Sequence, residues 1–205
     1  MRTLSKDPLN LMIAGVGGQG NVVMSLLIGN ALVRQGYCVS VGDTFGASQR
    51  GGSVASHIRI SDHTHYSSLI PSGHADIIVS LEPVEALRIL GQFGNPDVVT
   101  ITNVRPVYPP AVVSGLATYP DIDELLKAIK KLSARLETVN ATDEAIKLGN
   151  PIFTNVIMMG ALIGSGLLPL DKKSLEPILQ EYFPKVFDMN MIAFNKGMEL
   201  IGKGR

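Results

Sequence analysis

The chain has 205 residues, enough for one large domain with a substantial hydrophobic core. Its 18 basic and 18 acidic side chains balance, so no basic surface indicates binding to nucleic acid or to a membrane. The single cysteine, Cys38, excludes an internal disulfide and any iron–sulfur cluster ligated by this chain alone. The first ten residues lack a signal-peptide pattern, so the expected location is cytoplasmic.

The N-terminal half alternates strand and helix patterns. LNLMIAG and YCVSVGD each predict a buried strand, and the helix between them is closed by Gly36. A strand, a crossover helix and a strand predict parallel strands in one sheet. The predicted apolar face of the helix consists of Val22, Val23, Leu26, Leu27, Ala31 and Leu32.

The middle of the chain predicts further strands. SVASHIRIS and HYSSLI flank a polar turn and are typical of an antiparallel hairpin. ADIIVS and PDVVTIT predict two more strands, joined by a helix with Pro83 in its first turn. A surface helix is predicted over DIDELLKAIKKLSARLE, capped by Asp121 and Glu124, and LETVNAT predicts a last strand.

Residues 150–205 are predicted to be helical. The segment 152–168 is too short and polar for a membrane span and indicates a buried helix, in which Gly160 and Gly164 favour a close helix contact. Because this helix is apolar nearly all round, part of it is expected to be covered by a partner or a second copy. The fold class is therefore a single α/β domain over 1–205. It is a Rossmann-like three-layer α/β/α sandwich with a mixed, mostly parallel sheet and a helical C-terminal part.

The run IAGVGGQG follows the first strand and precedes the first helix. Its glycine spacing matches the dinucleotide-binding fingerprint, in which backbone N–H groups approach a pyrophosphate. Asp43 comes later than the ribose-binding acid of that fingerprint, so nucleotide binding and simple helix–sheet packing both stay open. Under the binding hypothesis the contacts are Gly15, Gly17, Gly18, Gln19 and Gly20.

A second glycine-rich loop, DTFGASQRGGSVASH, follows the second strand. In a parallel sheet this loop lies at the carboxyl edge near the first one, where open α/β folds bind ligands. Arg50, Gly51 and Gly52 therefore predict a phosphate or carboxylate contact, with a salt bridge to a partner as the alternative. His63 and His65 lie in a polar turn without metal-ligand spacing, and no residue is assigned as catalytic or metal-binding.

Four stretches together resemble the small subunit of indolepyruvate ferredoxin oxidoreductase. They are GVGGQGNVVMSLLIGNALV, FGASQRGGSVASHIRIS, LIPSGHADIIVSLEPVEALR and ATDEAIKLGNPIFTNVIMMGALIGSG, and the resemblance covers nearly the whole chain. More broadly, the sequence is similar to the gamma domain shared by pyruvate, ketoisovalerate and 2-oxoglutarate ferredoxin oxidoreductases, so another of these substrates is the first alternative.

The resemblance implies a subunit that is inactive alone. It implies oxidative decarboxylation of an aryl pyruvate with coenzyme A, giving an aryl acetyl-CoA, carbon dioxide and electrons for ferredoxin. Thiamine diphosphate, magnesium and the iron–sulfur clusters are expected on the large (alpha) subunit, and ferredoxin is reached through the complex. The glycine loop then contacts coenzyme A or only packs. An NAD-dependent oxidoreductase and a nonenzymatic nucleotide-binding module remain as rival hypotheses.

Overall fold

A computed structural model describes residues 4–46 and 51–202. Within these ranges the chain forms one six-stranded sheet with helices on both faces. The strands are β1 Leu9–Val16, β2 Cys38–Phe45, β3 Ser53–Ser61, β4 Ile77–Ser80, β5 Val99–Asn103 and β6 Arg135–Val139. The helices are α1 Asn21–Arg34, α2 Pro83–Phe93, α3 Pro110–Val113, α4 Ile122–Leu132, α5 Ala141–Lys147, α6 Thr154–Gly164, α7 Lys172–Tyr182 and α8 Phe187–Gly202, with a 3-10 turn at Pro151–Phe153.

The sheet is mixed and mostly parallel, as the sequence predicts. Its strand order is β2-β3-β1-β4-β5-β6, and β3 alone runs against its neighbours. The first two strands, β1 and β2, point the same way, but β3 separates them. The prediction of parallel strands in one sheet is therefore confirmed for β1 and β2.

The predicted hairpin between SVASHIRIS and HYSSLI is wrong. The strand β3 pairs with β1 on one side and β2 on the other, which leaves no free edge for residues 65–70. These residues instead lie as a loop near the sheet, and the N–H of Ile70 donates to Nδ1 of the buried His57 at 3.2 Å. The hairpin partner of β3 is β2, whose loop contains the second glycine pair.

Two apolar cores confirm the three-layer architecture. Alternate residues of β1 enter opposite cores, because successive side chains of a strand point to opposite faces. Leu11 and Ile13 belong to the core shared with α1, α6, α7 and α8, whereas Met12 and Ala14 belong to the core shared with α2 and α4.

The helices α6 and α8 pack with their backbones in near contact. A Cβ at Gly160 would lie 2.0 Å from the carbonyl oxygen of Phe194, and a Cβ at Gly197 would lie 1.9 Å from that of Ile157. The close helix contact predicted at Gly160 is thereby confirmed. Every residue from Val156 to Ile163 is buried inside this one chain. Residues 156–163 therefore leave no apolar face for a partner, because α8, α5 and α1 pack around them, whereas Ile152 at the start of the predicted segment stays exposed.

Two helices differ from their predictions, α1 in its buried face and α4 in its end. The structure leaves Val22, Val23 and Leu26 exposed, because α1 turns Met24, Leu27, Ile28, Ala31 and Leu32 toward the core. Helix α4 is capped by Asp121 as predicted but ends at Leu132, before the predicted end at residue 137, since the chain from Arg135 joins the sheet as β6.

Candidate functional site

The two glycine-rich loops meet at the carboxyl edge of the sheet. The N–H of Gly17 donates to the carbonyl oxygen of Gly52 at 2.8 Å, so the predicted proximity of the loops is confirmed. Gly51 adopts a left-handed backbone and is exposed. Arg50, the predicted anion contact, lies outside the described residues, so its role stays a prediction.

Gln19 closes the first loop by folding its side chain back onto the sheet. Its Oε1 accepts the N–H of Val16 at 2.7 Å, and its Nε2 donates to the carbonyl oxygen of Leu81 at 3.1 Å. The amide fills the space above Gly15, where a Cβ would lie 2.7 Å from Gln19 Oε1 and 2.7 Å from Asn21 Oδ1. Gly15 and Gln19 thus serve to pack the turn, which agrees with the structural alternative for this part of the fingerprint.

The other end of the loop contacts α6. Gly18 and Gly20 have φ values of 102° and 87°, a region that favours glycine. A Cβ at Gly20 would lie 2.3 Å from Nδ2 of Asn155, in the first turn of α6. Gly20, the N-cap of α1, has no side chain to cap the helix, and among the described residues no side chain takes its place, which leaves the first N–H groups open to water or to a ligand.

A cavity of about 770 Å³ opens between this loop and the C-terminal helices. Its walls come from the glycine loop, the chain after β5, the start of α6 and the start of α8. Residues at the N-termini of two helices, α1 and α6, belong to the lining, and the partial positive charge of a helix N-terminus favours an anion. The lining includes Gly18, Gln19, Gly20, Arg105, Val107, Asn150, Thr154, Asn155, Val186 and Asn190.

Arg105 is the one guanidinium among the described residues of this lining. It pairs with the carboxylate of Asp143 at 2.7 Å and is about half exposed, so it can turn between that carboxylate and a ligand. A hydrogen bond from Asn140, and then the pairing with Arg105, lower the pKa of Asp143, which keeps this carboxylate ionised. An exposed pair of this kind adds little stability and leaves Arg105 available for binding.

The segment 104–120 contributes Arg105, Pro106 and Val107 to the cavity wall and is held by the buried Glu82, which follows β4. The buried Glu82 caps α2 through the N–H of Glu85 at 2.9 Å, and its other oxygen accepts the hydroxyl of Tyr119 and the N–H of Val107. Burial, and then the bond to Glu82, raise the pKa of Tyr119 well above its usual range, so its hydroxyl stays protonated and donates.

Asp43 is not placed as a ribose-binding acid would be. Its carboxylate accepts the hydroxyl of Ser56 on the neighbouring strand. Because β3 lies between β1 and β2, and neighbouring strands are about 4.8 Å apart, the end of β2 lies about 10 Å from the end of β1. The fingerprint glycines and Asp43 therefore lack the adjacency of a dinucleotide site.

Sequence reasoning missed Arg105, Asn150, Asn155 and Asn190. Two signals were visible: the prolines that mark the irregular connection after β5, and the polar Asn155 in an apolar helix. Neither signal indicates that these residues meet the glycine loop, because they are far apart in sequence.

In the part of the chain that the structure describes, no helix has the length and apolarity needed to cross a membrane. No three histidine, cysteine or carboxylate side chains gather there as a metal ion requires. Cys38 is the sole cysteine of the sequence, so the chain's own residues do not fit a four-thiolate cluster.

The fold and its edge site define an α/β domain with a ligand-sized cavity at the carboxyl ends of its parallel strands. The family model "Pyruvate ferredoxin/flavodoxin oxidoreductase" matches residues 10–200, and the chain belongs to that family.

One relative is similar in sequence over nearly the whole chain, and two solved structures share the fold. An indolepyruvate oxidoreductase subunit IorB of Archaeoglobus fulgidus is 39% identical over 96% of this chain and 97% of its own. The structure of pyruvate oxidoreductase subunit PORC from Thermotoga maritima covers 95% of this chain and 97% of its own, with a TM-score of 0.69 and 22% identity. A 2-oxoglutarate:ferredoxin oxidoreductase chain from Magnetococcus marinus covers 97% of this chain but 32% of its own, with a TM-score of 0.76 and 21% identity.

Proposed function

We propose that this protein is the small subunit of an indolepyruvate ferredoxin oxidoreductase. The complex oxidatively decarboxylates an aryl pyruvate with coenzyme A, releasing carbon dioxide and an aryl acetyl-CoA and passing two electrons to ferredoxin. The observation that carries the proposal is the 39% identity to the Archaeoglobus fulgidus subunit over nearly the full length of both chains. The cytoplasmic location stays a prediction.

Under this proposal the redox cofactors belong to the large subunit. Thiamine diphosphate with magnesium supplies the decarboxylation chemistry there, and iron–sulfur clusters supply electron transfer to ferredoxin. This chain offers one thiol, on β2, so no step of electron transfer is assigned to it.

The experiment is purification of the chain with its native partner and an assay of the complex. Reduction of ferredoxin should require coenzyme A and should be faster with indolepyruvate than with pyruvate, ketoisovalerate or 2-oxoglutarate. Preference for one of the other 2-oxo acids would assign the protein to another branch of the family. Binding of NAD by the isolated chain, with no partner recovered, would favour the NAD-dependent enzyme or the nucleotide-binding module.

We further propose that the cavity receives a phosphate-bearing part of coenzyme A. Residues at two helix N-termini and Arg105 line it, and charge-assisted contacts of this kind suit phosphate. Arg105→Ala should raise the KM for coenzyme A about 10-fold or more, the equivalent of losing one charge-assisted hydrogen bond.

The matched control is Arg34→Ala. Arg34 is 49% exposed, against 51% for Arg105, and it too pairs with one carboxylate, that of Glu181. It lies at the end of α1, opposite the cavity, so its loss should leave the KM for coenzyme A unchanged. If the two variants had equal KM values for coenzyme A, the proposal that coenzyme A binds in this cavity would be contradicted.

A further inference from the structure

One wall of the cavity contains a buried amide whose oxygen has no partner. Asn190 lies in the first turn of α8, belongs to the cavity lining and is 4% exposed. Its Nδ2 donates to the carbonyl oxygen of Val186 at 3.0 Å. Among the described residues, no group donates a hydrogen bond to its Oδ1. Buried side-chain acceptors are seldom left in this state, so the oxygen calls for an explanation.

The backbone fixes the orientation of this amide. A carbonyl oxygen only accepts hydrogen bonds, so the nitrogen of the Asn190 amide faces Val186 and the oxygen points the other way. The same carbonyl also accepts the backbone N–H of Asn190 at 3.1 Å. The carbonyl of Val186 therefore keeps a donor even when the side chain of Asn190 is replaced.

The oxygen of Asn190 opens to the cavity. Within the described residues, the side-chain polar atom that is both sealed from the outside and without a hydrogen bond is Oδ1 of Asn21. Oδ1 of Asn190 also lacks a bond, but it is not sealed. Because the rest of Asn190 is buried and the residue lines the cavity, its small exposed part faces the cavity. An acceptor without a donor thus points into the space that a ligand fills.

A second amide in the lining is also unpaired. Asn155, in the first turn of α6, lies against Gly20 of the glycine loop, and its side chain makes no hydrogen bond to another described residue. An amide carries a donor and an acceptor, and it pairs with another amide or with the edge of a nucleobase. The described lining contains no carboxylate, and its charged side chain is that of Arg105. The cavity therefore offers a cationic part for an anion and an amide part for a neutral group.

We infer that Asn190 determines ligand specificity. Its Oδ1 accepts a hydrogen bond from an N–H of a neutral group, an amide or a nucleobase, in the same ligand whose phosphate meets Arg105. This inference rests on the proposed function, which takes coenzyme A as the ligand. Coenzyme A carries N–H donors of both kinds, on its adenine and on the amides of its pantetheine arm. A ligand without such a donor leaves Oδ1 of Asn190 unpaired, which weakens its binding.

The test uses the complex with its native partner and measures the KM for coenzyme A. Asn190→Leu replaces the amide by an apolar group of similar size, and Asn190→Ala removes the same oxygen without adding bulk. Asn195→Leu is the matched control, because Asn195 is exposed on the same helix and is not among the described lining residues. Thermal unfolding checks that each variant folds.

We expect both Asn190 variants to raise the KM for coenzyme A by about 10-fold and Asn195→Leu to leave it unchanged. Two fragments then identify the donor by competitive inhibition. Adenosine bisphosphate is the nucleotide part of coenzyme A, and S-methylpantetheine is its amide-bearing arm. The fragment that carries the recognised N–H should inhibit the Asn190 variants about 10-fold more weakly than the wild type, and the other fragment should inhibit them equally well.

A wild-type KM in both Asn190 variants, together with a raised KM in Arg105→Ala, would overturn the inference and leave the proposed function intact. A change that weakens both fragments alike, or neither, would also overturn it, because Asn190 would then act through the shape of the cavity. A complex that reduces ferredoxin without coenzyme A would overturn the proposed function itself.

Discussion

The contact between α6 and α8 allows a direct test of the packing. A methyl group added at Gly160 would lie 2.0 Å from the carbonyl oxygen of Phe194, where ordinary contact begins at 3.4 Å. The obstacle is backbone inside a helix, so it cannot move as the end of a flexible side chain does. The helices must separate by about 1 Å, and the atoms around them lose close packing.

We expect Gly160→Ala to lower the free energy of unfolding by about 3 kcal/mol. Overpacking a core usually costs about 1–3 kcal/mol, and this site belongs at the upper end because the clash is with backbone. Alanine also has a higher helix propensity than glycine, by about 1 kcal/mol, and this gain offsets part of the free-energy cost of the clash. For a chain of this size the loss corresponds to a fall in Tm of about 6–12 °C.

Gly91→Ala is the matched control for this prediction. Gly91 is also helical, in α2, but a Cβ there would have no heavy atom within 4 Å. The same substitution should therefore stabilise the protein by about 0.5–1 kcal/mol. Urea denaturation of the isolated chains measures both values. If Gly160→Ala were as stable as the wild type, the two helices would not be in the close contact described, and the assignment of their glycines would be refuted.

Two further predictions concern the buried side chains of His57 and Glu82. Burial lowers the pKa of His57 and Asp43 opposes this, so the fold favours the neutral ring. Below the unfolded value of about 6.5 the unfolded chain gains a proton that the folded one resists, so stability should fall between pH 7.5 and pH 5.5. His57→Gln should flatten this dependence and the exposed His65→Gln should not. Tyr119→Phe removes a donor to Glu82 and should cost about 1–3 kcal/mol, with faster proteolysis within 104–120 as the readout; unchanged stability would show that Glu82 does not hold this segment.

Local sequence patterns predicted which segments form strands and helices better than they predicted which strands are neighbours in the sheet. The apolar run before Gly15 and the cap at Asp121 are read directly from adjacent residues, and both are confirmed. The insertion of β3 between β1 and β2 is a choice among long-range pairings, and the alternating pattern of SVASHIRIS does not specify which strands lie beside it. The predicted hairpin with residues 65–70 was wrong for this reason.

Local reasoning predicted only part of the buried side of α1: Leu27, Ala31 and Leu32 are buried as expected. Val22, Val23 and Leu26 have the spacing of an apolar face, yet they are exposed and the next residues round the helix are buried. An apolar helix with more than one hydrophobic side fits the sheet in several rotations. The choice depends on the shape of the core that α6 and α8 complete, and those helices lie more than a hundred residues away in the chain.

The two halves of the glycine loop have different neighbours and different uses. Gln19 occupies the space above Gly15 with its own amide, whereas Gly20 brings Asn155 against the loop at the wall of the cavity. The fingerprint spacing alone cannot distinguish these uses, because both require glycine at the same positions. What separates them is the side chain that reaches each glycine: one comes from within the loop and the other from α6. The part of the motif open to a ligand is therefore its second half, which adjoins the uncapped start of α1.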